Sequence, residues 1–135
     1  MADRPRRYFT PDEANVLLPE LSVRLSRCGD LLRRHQDLVE RADEDAVRRA
    51  DLLFQAEAVR EEAEGIVQDI ATQGVEVKGV EPALLDFPAL RYGQEVFLCW
   101  RSGESRVEAW HPMTTGFAGR QPLEPGDNGP WEWCN

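Results

Sequence analysis

The chemistry open to this chain is bounded by its two histidines, His35 and His111, and its three cysteines, Cys28, Cys99 and Cys134. A site of three histidines within one chain is impossible. No His-Glu-x-x-His or paired-cysteine spacing is present, and the single Glu-x-x-His, Glu108 to His111, falls on an expected strand rather than a helix. A mixed site is possible: imidazole with carboxylate suits zinc, manganese or iron, and the set the sequence offers is His111 with Asp86 and Glu104. Glu108 lies three residues from His111, which on a strand places the two on opposite faces. Cys99 with His111 is the one pairing that fits thiol–imidazole catalysis, and it needs contact at about 3 Å. Gly116-Phe117-Ala118-Gly119-Arg120-Gln121-Pro122 sets an arginine between glycines and a proline. Such a loop can offer amides and a guanidinium to a carboxylate or phosphate, although the lysine and spacing of a phosphate loop are missing. Asp86, Arg91, Glu104, Trp110 and Arg120 are therefore the candidate residues for a small anionic ligand. Each also has a plainer reading. His111 can satisfy a buried carbonyl, Arg120 can pair with Asp86 or Glu104, and Asp86 with Arg91 can brace a turn at Pro88. No catalytic residue is assigned.

The elements that must position these residues fall into two unlike halves. Thr10-Pro11-Asp12-Glu13 is a capping box with proline at the first helical position. From it Ala14, Leu18, Leu21, Leu25, Cys28, Leu32, His35, Val39 and Ala42 keep a 3-4 spacing over about four heptads. Pro19 interrupts that helix and predicts a kink. A bend at Ala42–Asp45, with Asp43 or Asp45 as cap, leads to a second helix over about 45–72. Its seam is Leu52, Ala56, Val59, Ala63, Ile66 and Ile70, and Gly74 ends it. Most of the glycines and prolines, and all four tryptophans, follow. That half reads as strands at 75–78, 83–87 (stopped by Pro88), 95–101 and 106–111, the last two joined by a turn at Ser102–Ser105. Alternation puts Val96, Leu98 and Trp100 on one face with Val107, Ala109 and His111. Phe97, Cys99, Arg101, Arg106, Glu108 and Trp110 then take the other, which parts Cys99 from His111. The expectation is an α+β fold in a single domain over 1–135: a long antiparallel helical hairpin at about 10–73, a small antiparallel β-sheet at about 74–123 and a tail at 124–135. In the tail, Trp131 and Trp133 share one side of an extended segment and are expected to dock on the sheet.

Several segments taken together resemble one family. They are Phe9-Thr10-Pro11-Asp12-Glu13-Ala14-Asn15 with Leu18-Pro19, then Leu85-Asp86-Phe87-Pro88, Arg91 and Gly93. Leu98-Cys99-Trp100, Gly103-Glu104, Trp110-His111 and Gly116 to Pro122 follow. The pattern is similar to the bacterial domain of unknown function 2203 family, from about Phe9 to Leu123. The resemblance implies a small soluble bacterial protein and supplies no mechanism.

Composition sets the outer limits. The chain has 135 residues, of which 16 are basic and 25 acidic, for a net charge of −9. That balance argues against binding nucleic acid, whose backbone needs a basic face. No run approaches the roughly 20 apolar residues that cross a bilayer. The start is polar and basic without a secretory pattern, and widely spaced, odd-numbered cysteines fit a reducing compartment. A cytoplasmic protein is expected. The helix seams are wide for a two-helix contact, so the first partner to expect is a second copy of the chain, in a homodimer packed through the helices. The functional expectation is an interaction or small-ligand-binding module that self-associates through its helices. A metal-dependent enzyme using His111 with nearby carboxylates, and a structural coiled-coil scaffold, are the alternatives.

Overall fold

The computed structural model describes residues 7–123 and 131–132. Its order is α1 (Pro11–Glu44), α2 (Arg49–Thr72), β1 (Glu76–Val80), β2 (Ala83–Arg91), β3 (Gln94–Arg101), β4 (Ala109–Pro112), a short 3₁₀ turn (Phe117–Gly119), β5 (Gln121–Pro122) and β6 (Trp131–Glu132). The expected helical hairpin followed by an antiparallel sheet is what forms. Thr10 caps α1 as the sequence predicts. The Glu13 amide donates to Thr10 Oγ1 at 3.2 Å, and the Thr10 amide donates to the Glu13 carboxylate at 2.9 Å. The helix runs on through Pro19. At 1.5 Å per residue α1 is about 51 Å long and α2 about 36 Å.

Two expectations for the hairpin shift. Asp45 does not open α2; its carboxylate accepts from the Arg48 amide at 3.1 Å, and the helix begins at Arg49. The buried stripe of α1 follows the expected seam to Cys28, then steps to Leu31 and Leu38 and meets the seam again at Ala42, leaving Leu32 exposed. A straight α-helix drifts about 20° per heptad against a strict 3.5-residue repeat, so a long seam must step. Gly74 ends α2 at φ 91, a conformation that costs a side chain energy and glycine little.

The sheet order is β1-β2-β3-β4-β5, and β6 pairs β2 where β1 has left off. Contrary to the sequence reading, β2 does not stop at Pro88. Its pairing with β1 ends at Asp86 and that with β6 begins at Leu90, so Pro88 sits between them. The missing amide therefore breaks no ladder, and the Pro88 carbonyl accepts from the Phe9 amide at 2.7 Å. Tyr92 and Gly93 both have positive φ and make the two-residue turn into β3.

One face of the sheet carries Leu85, Phe87, Ala89, Val96, Leu98 and Trp100. These pack on Phe9, Ala14, Leu18, Leu21, Leu25 and Ile70 to form the main core. Each large side chain so buried contributes about 1.5–3 kcal/mol. Smaller separate clusters hold the rest of the hairpin: Cys28, Leu31 and Ala63 midway, and Leu38, Ala42, Leu52 and Ala56 at the far end. Among the described residues no helix is long and apolar enough to cross a membrane.

Candidate functional site

The face of the sheet turned away from the helices is also covered, by the segment after β4. Between the two lies a cleft of about 220 Å³ lined in part by Lys78, Asp86, Phe97, Cys99, His111 and Phe117. Register places its residues. Asp86 of β2 pairs with Cys99 of β3, and Phe97 of β3 pairs with His111 of β4. Directly paired residues project to the same face, so Asp86, Cys99 and His111 converge.

This corrects the expected faces. The predicted hairpin set Val96 opposite His111, whereas β4 is displaced by one residue, and a one-residue slip turns every side chain over. The cause lies on α1. Asn15 accepts from the Val107 amide through Oδ1 at 2.7 Å and donates from Nδ2 to the Val107 carbonyl at 3.4 Å. Val107 is thereby drawn out of the strand and into the core, and β4 starts only at Ala109. Glu104 holds the turn before it. Its carboxylate accepts from the Arg101 amide at 2.7 Å, and its carbonyl accepts from Trp100 Nε1 at 2.9 Å. Trp110 accordingly lies on the helix side, partly buried against the main core.

Asp86 and His111 are the buried charged or polar side chains of the described core, at 4 % and 2 % exposure. His111 Nε2 lies 3.0 Å from Asp86 Oδ1, and Nδ1 lies 2.8 Å from the Pro112 carbonyl. A carbonyl only accepts, so Nδ1 carries a proton. One further proton then lies between Nε2 and the carboxylate, whichever of the two holds it. Cys99 completes the group: its Sγ, an Asp86 oxygen and a His111 nitrogen all lie within 4.8 Å of one another. Burial first, then the Asp86 charge beside it, push the Cys99 thiol up to about 12, with Arg120 pulling the other way. Cys99 and His111 therefore share a face, which the expected alternation ruled out, with Sγ and a ring nitrogen within 4.8 Å of each other. The thiol is nonetheless held protonated, the reverse of what activates a nucleophile.

The other expected site residues divide. Arg120 donates to the Glu104 carboxylate at 2.8 Å and to the Cys99 carbonyl at 3.4 Å, and it stacks on Phe117 at 4.7 Å. Glu104 thus sits beside the cleft wall, engaged by Arg120 and the turn, rather than with His111. Arg91 and Trp110 lie elsewhere. Arg91 is five residues from Asp86 on β2, about 16 Å along the strand and on the opposite face, where its guanidinium stacks on Trp110 at 4.7 Å. The expected Asp86–Arg91 brace does not form. Trp131 pairs through its backbone with Arg91; Trp133 and Cys134 lie outside the described residues. Sequence reasoning weighs Cys99 with His111 but parts them by face, and so leaves Cys99 out of the mixed site. The signal available was Asn15, a polar residue set among the apolar positions at the start of α1.

A model of the family described as "Uncharacterized conserved protein (DUF2203)" matches residues 7–123. That span includes Asn15, Asp86, Cys99, His111 and Arg120. No curated protein and no solved structure matches the chain.

Proposed function

We propose, from the premise that the chain belongs to the uncharacterised conserved family DUF2203, that it works as a binding module for a small ligand held in the cleft on the outer face of the sheet. One observation carries this reading: a buried carboxylate and a buried imidazole are paired at the floor of a cleft whose walls include Phe97, Met113 and Phe117. Polar groups are costly to bury, and a concave, largely apolar site with a few convergent polar groups is the usual form of a ligand pocket. The volume, about 220 Å³, suits a ligand of a few heavy atoms. Arg120 and Glu104 support the wall through the Cys99 carbonyl and Phe117. Thermal unfolding in the presence of a panel of small carboxylates, phosphates and divalent metal ions tests it. A concentration-dependent rise with at least one member, abolished by Asp86→Asn, is expected; no rise with any member would overturn the reading.

Self-association through the helices is a second reading, supported by the far end of the hairpin. There Phe54 is 77 % and Val47 95 % exposed, with Leu53 beside them, over a cluster of only four buried side chains. An exposed apolar patch at the end of a helical hairpin is matched by the same patch on a second copy about a two-fold axis, which makes a second copy the fitting occupant. Light scattering is expected to give the mass of two chains, falling to one in Phe54→Glu; a monomeric parent chain would overturn it.

A further inference from the structure

We infer that Asp86, Cys99 and His111 form a three-ligand site for a zinc-class divalent ion at the floor of the cleft. The inference deepens the binding-module reading by naming its ligand, and it rests on that reading.

Four features point to this class of ion. First, the donor set is one thiolate sulfur, one imidazole nitrogen and one carboxylate oxygen. That mixture suits zinc and its close neighbours far better than calcium or magnesium, which take oxygen alone. Second, the spacing is nearly right. Zinc bond lengths of about 2.0–2.3 Å in tetrahedral geometry put ligand atoms about 3.3–3.6 Å apart. Asp86 Oδ1 and His111 Nε2 are already 3.0 Å apart, and all three donor atoms lie within 4.8 Å, so side-chain rotations that move the atoms by about 1 Å would close the set. Third, the outer support of a metal-bound histidine is in place. His111 Nδ1 donates to the Pro112 carbonyl at 2.8 Å, which fixes the tautomer that turns Nε2 toward the ion. Fourth, the charges cancel. A divalent cation with one carboxylate, one thiolate and a neutral imidazole is a neutral unit, and a buried site favours neutrality.

Binding is an exchange of ions with no redox step. The metal takes the place of the proton between Nε2 and Asp86 and of the Cys99 thiol proton, and both protons leave to solvent. With three protein ligands, a fourth position is left for water or another small donor from the cleft, the arrangement of sites whose metal is reached by exogenous ligands.

Cobalt(II) titration of the folded, chelator-treated chain tests the inference. We expect saturation at one equivalent with a thiolate-to-cobalt charge-transfer absorption. Cys99→Ser should lose that absorption, while Cys28→Ser and Cys134→Ser keep it. Asp86→Asn and His111→Gln should each weaken binding by more than the roughly 10–100-fold that a merely supporting residue is worth. X-ray absorption on the unaltered chain with one equivalent of zinc should read one sulfur in the first shell, a result that needs no variant to fold. No stoichiometric uptake, or a spectrum without sulfur, would overturn the metal site. An organic anion that still raises the unfolding temperature, with that effect lost in Asp86→Asn, would leave the binding-module reading standing without it.

Discussion

Asp86 and His111 are predicted to act as one unit whose separation costs more than its removal. Replacing Asp86 by Val leaves His111 Nε2 facing no acceptor in a site that is 2 % exposed. Replacing His111 by Leu leaves a carboxylate, 4 % exposed, without its partner at 3.0 Å. An orphaned buried polar group costs about 1–3 kcal/mol, and about 3–5 kcal/mol where the survivor stays charged. An unfolding entropy of about 2.1 cal/mol/K per residue makes each kcal/mol worth about 3–4 °C in this chain. A single substitution costing about 3 kcal/mol therefore lowers the melting temperature by about 10 °C. The double variant Asp86→Val/His111→Leu replaces both partners by apolar groups of fitting shape and should come within about 1 kcal/mol of the parent, since apolar replacement of a buried pair is often neutral. Urea unfolding of all four chains, followed by tryptophan fluorescence without added metal, completes the cycle. The expected coupling is at least about 2 kcal/mol. Single losses that simply add in the double variant would refute the claim that these side chains form one paired unit.

Three further outcomes follow from the same geometry. Asn15→Ala removes both hydrogen bonds to Val107 and should cost about 1–2 kcal/mol in urea unfolding, net of alanine's better helix propensity; Asn15→Asp, which keeps the acceptor for the Val107 amide, should cost less, and an undiminished Asn15→Ala would count against the clamp. The folded Cys99 thiol is held up to about 12 against an ordinary value of 9.0, so with rising pH the unfolded chain loses its proton first, and stability should fall from about pH 9 upward. Cys99→Ala should show a flatter decline over that range, and an identical slope would contradict it. Thr10→Ala opens the capping box and should cost about 1 kcal/mol, measured by the same unfolding; no loss would show that the helix start is held by other contacts.

What could be read from the sequence depended on how local its cause was. The start of α1 was legible to the residue because Thr10, Pro11 and Glu13 settle it among themselves. Gly74 likewise marked the end of α2. The register of β4 was not legible, because it is decided by Asn15, whose amide engages Val107 ninety-two residues away. That single long-range contact converts an apparent strand residue into a core residue and carries His111 from the helix side to the side of Cys99. Pro88 misleads for a related reason: a proline ends a strand only when its amide is needed, and here it pairs with Phe97 of β3 while the other edge lies between the end of β1 and the start of β6. Asp86 and His111 were visible as candidates from their types, and the fold brings them together. Arg91 and Trp110 were grouped with them by nearness in sequence, and the pleat of β2 and β4 sends them to the other face. The type of Glu104 suits a ligand, whereas in the structure its carboxylate holds the turn and Arg120.

A crystal structure grown with one equivalent of zinc, read by anomalous scattering at the zinc edge, shows whether the outer face of the sheet gathers Asp86, Cys99 and His111 into one metal site. One strong peak within about 2.0–2.3 Å of Cys99 Sγ, His111 Nε2 and an Asp86 oxygen is expected. A peak at other residues only, or none in the cleft, would contradict it.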